Sequence, residues 1–149
     1  MASQKKGEAL PALVDVLETL TERRKRLDEA DTRISNLIKE AEVELQTHFN
    51  VRVWTDITDR HNGSAETALV FGKHDGKWQL LVESSYGNDE SITPLLSCTR
   101  ELRVRVFSEG HLEDLIRGAA AQLDKQLAVR ESAIEKATEL VRALGGLPF

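Results

Sequence analysis

An unbroken run of alternating three- and four-residue steps constrains this chain more than any other feature. From the N-terminal side it passes through Leu10, Leu13, Leu17, Leu20, Arg24, Leu27, Asp31, Ile34, Ile38, Ala41, Leu45 and His48. A step pattern that averages 3.5 residues puts every member on one stripe of a helix, and such stripes are buried against other helices. A second stripe lies near the other end, through Ile116, Ala120, Leu123, Leu127, Arg130, Ile134, Ala137, Val141 and Leu144. Both segments therefore specify architecture and association before they specify chemistry.

Pro11 suits the first turn of the first helix, where its missing N–H is not needed. From there to about Thr47 nothing in the sequence breaks the helix. Roughly 37 residues at about 1.5 Å each would reach some 55 Å, more than a domain of this size covers alone. Part of the helix must project or lie against another chain. The polar stretch Glu22–Asp28 within it reads as a solvated face with local charge pairs.

After Asn50 the period falls from 3.5 to 2. Val51, Val53, Thr55 and Ile57 alternate with Arg52, Trp54, Asp56 and Thr58, which describes a strand. Asp59–Ser64 reads as a turn. A strand over Glu66–Gly72 and another over Lys77–Glu83 flank Asp75-Gly76, the signature of a tight hairpin. Ser84–Ser91 reads as a polar loop, Ile92–Cys98 as an edge strand carrying Pro94, and Leu102–Phe107 as a fifth strand by its alternation. Ser108 is a candidate cap for the last helix, which Gly145-Gly146 should terminate.

The expectation is thus an α+β domain over 1–149, two long terminal helices paired as an antiparallel coiled coil and flanking a five-stranded antiparallel meander. Its parts are a tail over 1–9, a helix over 10–48, a sheet over 51–107, a helix over 109–144 and a tail over 145–149. Antiparallel pairing would bring Asp31 towards Arg130, a polar pair in the seam that would fix register.

Composition excludes some classes of function. With 20 Lys and Arg against 25 Asp and Glu, the net charge of -5 argues against general binding of nucleic acid or anionic membrane. The single cysteine, Cys98, rules out an intrachain disulfide and fits a cytoplasmic chain. No run of about 18 apolar residues is present that could span a membrane.

Catalytic constellations are hard to assemble. His48, His61, His74 and His111 follow no ligand spacing known for zinc, and no metal or cofactor is expected. Cys98 closes an apolar segment, where a small inert side chain is the usual role. Phosphate loops, dinucleotide fingerprints, and HExxH or GxSxG motifs are missing.

What the sequence does offer is surface. Beside the core face of the sheet, the alternate positions carry Trp54, Val70, Leu81 and Phe107, too apolar for a wet face. The reading that follows is a non-enzymatic interaction module, an adaptor, scaffold or chaperone-like protein. It self-associates, as a homodimer, through Leu13, Leu20, Leu27, Ile34, Leu123, Leu127 and Ile134. It presents the sheet to a protein partner, with Trp54 as the anchor. Two helices joined through strands resemble prefoldin-type chaperone subunits in architecture, though the strand section is longer and no residue carries over. The alternative is a small nucleic-acid or anion-binding accessory using Arg100, Arg103 and Arg105 on one strand face. A metal-dependent enzyme built around His61 and His74 is the third reading.

Overall fold

The computed structural model describes residues 2–57 and 66–147, with side chains over 10–57 and 66–147. Helix α1 (Ala2–His48) is followed by strands β1 (Val53–Ile57), β2 (Glu66–His74), β3 (Lys77–Tyr86) and β4 (Asp89–Pro94). A 3₁₀ turn (Leu95–Ser97) then leads into α2 (Arg100–Ser108) and α3 (His111–Gly145). The chain divides into two compact units, Met1–Ala41 and Glu42–Phe149.

The first unit is helix throughout its described length. It begins at Ala2, so the expected tail is helical over 2–9 and Pro11 lies inside α1 rather than at its start. Proline cannot donate to the carbonyl four residues earlier, so α1 forgoes one backbone bond there. Every described side chain from Leu10 to Ala30 is exposed. Burial begins at Asp31, which is half-buried along with Ile34, while Ile38 is fully buried.

In the second unit the strands run antiparallel in the order β1-β2-β3-β4. Asp75 and Gly76, with φ of 50° and 80°, form the turn between β2 and β3. Positive φ at both central residues is the type I′ geometry that matches strand twist, and Asp-Gly supplies it at low cost. Across this hairpin Leu69 faces Val82, and Phe71 faces Leu80.

Because paired residues share a face, Leu69, Phe71, Leu80 and Val82 lie on one side of the sheet, and Val70 and Leu81 on the other. All six are buried. Phe49, just past the end of α1, meets Phe71 edge-on at 5.5 Å, and Trp78 stacks on the same ring at 5.6 Å. Burial of both faces explains why the middle strands are apolar without alternation.

Three sequence expectations fail between residues 84 and 107, one of them the edge strand expected over Ile92–Cys98, which stops at Pro94 and gives way to the 3₁₀ turn Leu95–Ser97. Ser84–Ser91 is not a loop: β3 continues to Tyr86, and a two-residue turn, Gly87-Asn88, starts β4. Gly87 takes φ of 61°, the conformation a tight turn requires at its first central position. The polarity that suggested a loop is instead that of an edge strand, exposed from Asp89 to Ile92.

The fifth strand is absent, and its residues form α2. Thr99 caps this helix, its hydroxyl accepting the Leu102 N–H at 3.3 Å, with Glu101 in the first turn. The alternation of Leu102, Val104 and Val106 mimics a strand, but burial follows a helical face: Val106 is buried, Leu102 half-buried, and Val104 exposed. Among the described residues the sheet therefore has four strands rather than five. Gly110, at φ of 75°, turns the chain from α2 into α3, so the last helix begins at His111 and is capped by Gly110 rather than Ser108.

Candidate interaction surface

The sheet's two edges are treated differently, and the difference positions α3. In β1 the peptide groups of Trp54 face away from β2, and α3 supplies their partners. Trp54 N–H donates to Gln122 Oε1 at 3.0 Å, and Gln122 Nε2 donates back to the Trp54 carbonyl at 2.6 Å. Four residues on, Gln126 Nε2 reaches the Arg52 carbonyl at 3.4 Å. One side-chain amide thus imitates the neighbouring strand that β1 lacks, which protects an edge that would otherwise recruit other strands.

A second clamp lies where β4 stops. Pairing of β3 with β4 ends at Leu81–Pro94, which leaves the Leu80 N–H beyond the ladder. Glu42 Oε2 accepts that hydrogen at 2.7 Å. Neither Gln122, Gln126 nor Glu42 was flagged by the sequence. Only the spacing of two glutamines four apart in an Ala- and Leu-rich helix hinted at a shared task.

On the face that carries Val70, Arg52 runs diagonally across the sheet. Its guanidinium lies 5.4 Å from the Trp54 ring and pairs with Glu83 at 2.6 Å. Gly72 lies beneath this route, and a Cβ there would make only ordinary van der Waals contact with Arg52 Cγ, at 3.7 Å. The ion pair crosses a hollow of about 420 Å³ that also holds Asp56, Glu66, Glu90 and Ile92. Trp54 remains 43% exposed beside it.

The expected anion site does not form as drawn. Arg103 and Arg105 share a strand face only if residues 102–107 are a strand. On α2, residues two apart point in different directions. Arg103 instead reaches the Leu96 carbonyl at 3.5 Å, and Arg105 pairs with Glu109 at 3.1 Å. Arg100 starts the same helix. Hydrogen bonds from Arg105 and then His111 hold the Glu109 carboxyl below the usual range.

The chemistry-bearing residues are similarly committed. Burial pushes the Cys98 thiol up, only partly opposed by Arg103, and the sulfur lies 3.4 Å from the Pro94 carbonyl. A raised thiol pKa disfavours the thiolate that nucleophilic chemistry needs. His74 lies 3.5 Å from Asp75, and His111 lies 3.1 Å from Glu109. Among the described residues no group of three or more His, Cys, Asp or Glu could hold a metal ion. His61 and the expected turn over 59–64 lie outside the described residues.

The stripes are uncovered over much of their length. Leu10, Leu13, Leu17, Leu20 and Leu27 on α1 are each more than half exposed, as are Leu127, Ile134, Val141 and Leu144 on α3. Farther along the α1 stripe Ile38 and Leu45 are buried, so the expected burial of the two seams is met only over part of their length. Of the expected contact residues on the stripes, Ile34 and Leu123 are half-buried already. Off the stripe, Val14 and Val16 widen the apolar surface of α1, and Leu140 that of α3.

Of the polar seam residues, Asp31 is half-buried, whereas Arg130 is exposed and donates to the Gln126 carbonyl of its own helix at 3.2 Å. Between α2 and α3, Val106, Phe107, Leu112 and Ile116 line a further apolar hollow of about 410 Å³.

No protein-family model, curated protein or solved structure matches this chain. No described helix is long and apolar enough to cross a membrane.

Proposed function

We propose that this chain is a non-enzymatic interaction protein that self-associates as a homodimer through coiled-coil pairing of its long helices. It then offers the sheet, with Trp54 at its margin, to a protein partner. The observation that carries this reading is the state of α3 between Leu127 and its end at Gly145, where every side chain is exposed although the heptad pattern persists.

A helix of about 20 residues with no tertiary packing is marginal in water, because nucleation is costly and propensity adds little per residue. Covering the stripe alters that balance. Each Leu, Ile or Val fully buried contributes about 1.5–3 kcal/mol. Several such side chains on each of two copies offset the roughly 4–15 kcal/mol that association costs in lost freedom. Trp54 supports the partner-binding part of the reading: its backbone is held by Gln122 and the Arg52 guanidinium lies over its large ring, which is the kind of residue that anchors interfaces.

Sedimentation equilibrium tests this. The intact chain should be a dimer at micromolar concentration, and Leu127→Asp should make it monomeric while the far-ultraviolet signal of the sheet persists. A wild-type chain that sediments as a monomer throughout would refute the proposal.

A further inference from the structure

The residues of α3 also say which occupant covers it, and in which direction. Resting on the self-association just proposed, we infer that α3 pairs with α3 of a second copy, antiparallel, with the dyad at Ser132. Opposed in this way, Ala120 faces Leu144, Leu123 faces Val141, Leu127 faces Ala137, and Arg130 faces Ile134. Small meets large in two of the layers, and no charge meets itself in the seam. A parallel pair places every seam residue against its own copy. Arg130 then opposes Arg130, and Ala120 and Ala137 each leave a gap against themselves.

The flanks agree with this direction. On one side of the stripe lie Ala119, Gln126, Ala133 and Leu140; Ala119 is buried and Gln126 bonds the Arg52 carbonyl, so this is the side towards the sheet. It is apolar apart from that glutamine. Leu140, exposed and off the stripe in the single chain, falls in the antiparallel pair against Gln126 of the second copy. Ala133 meets Ala133 at the dyad, which lets the backbones approach.

The opposite flank carries Arg117, Asp124, Glu131 and Thr138. At the dyad the two Glu131 carboxylates come together, and each Arg130 lies within reach of Glu131 of the other copy. The aliphatic stem of Arg130 covers the seam while its guanidinium extends to the charged flank. This pairing takes Arg130 to Glu131 of the second copy rather than to Asp31.

Spin labels on the full chain read the direction. With Cys98 replaced (C98S), single labels are placed at Lys125→Cys, Ser132→Cys or Glu139→Cys, all exposed and on the outward side of α3. An antiparallel pair gives its shortest interspin distance at position 132. At 125 and 139 the labels are separated along the axis by about 21 Å, from about 14 residues at about 1.5 Å each. Equal distances at all three positions would overturn the direction while leaving the dimer standing. A dimer without this pattern of distances would place the contact on α1 or the sheet and overturn the inference. A monomer in sedimentation would remove the self-association on which it rests.

Charge exchange gives a second readout. Arg130→Glu should weaken the dimer about tenfold or more, and adding Glu131→Arg to the same chain should restore it. Failure of the double variant to recover would count against the Arg130–Glu131 contact.

Discussion

The sheet and the outer half of α3 are built from similar apolar residues yet stand in opposite conditions. Around Phe71 the chain buries both faces of β2 and β3, and it meets loose backbone groups with Gln122 and Glu42. From Leu127 onward the same kinds of side chain face water. The contrast teaches that apolar content alone does not say where a core lies. What separates the two regions is whether a second surface is available from within the chain. The sheet has one, and the stripe of α3 from Leu127 onward has none.

The contrast can be broken most forcefully at Phe71. Phe71→Ala removes the ring that joins Phe49 to Trp78 and should lower stability by about 3–5 kcal/mol, read from urea unfolding. Leu13→Ala, at an exposed position, should stay within about 0.5 kcal/mol in dilute solution. Comparable losses at the two sites would abolish the distinction. A smaller effect sharpens the account of the sheet's edge. Gln122→Ala deprives the Trp54 N–H and carbonyl of their partners and should cost about 1–3 kcal/mol. It should also add slow, concentration-dependent aggregation, because the β1 edge is bared.

How much of this could be read from the residues varied with the kind of signal. The two helical stripes and the Asp75-Gly76 hairpin were legible, since a sustained period and a turn dipeptide each have one physical meaning. The run Leu102–Phe107 was not, because an alternation three steps long satisfies a strand and is tolerated by a short helix. The deciding marks were at its ends, the Thr99 cap and the left-handed Gly110. The first strand pair was visible, but the extension of β3 to Tyr86 was hidden by the polarity of Ser84, Ser85 and Glu90.

The interaction surface was legible as a list of seam residues and illegible as geometry. Sequence period identifies Leu20, Leu27, Leu127 and Ile134 as a kind of residue that needs covering. It does not separate them from Ile34 and Leu123, which the chain already half-covers. The clamps by Gln122 and Glu42 left almost no trace, because a side chain that imitates a strand can come from any nearby helix. Backbone groups demand partners, but they do not advertise which residue will provide them.

The central claim is that residues 127–147 are covered by a second copy of the chain. Amide hydrogen exchange of that stretch, followed across a dilution series, tests it most directly. Protection should be high at concentrations where the chain is dimeric and should fall on dilution, while the β2 and β3 amides stay protected throughout. Exchange in 127–147 that is equally fast, or equally slow, at every concentration would contradict the account.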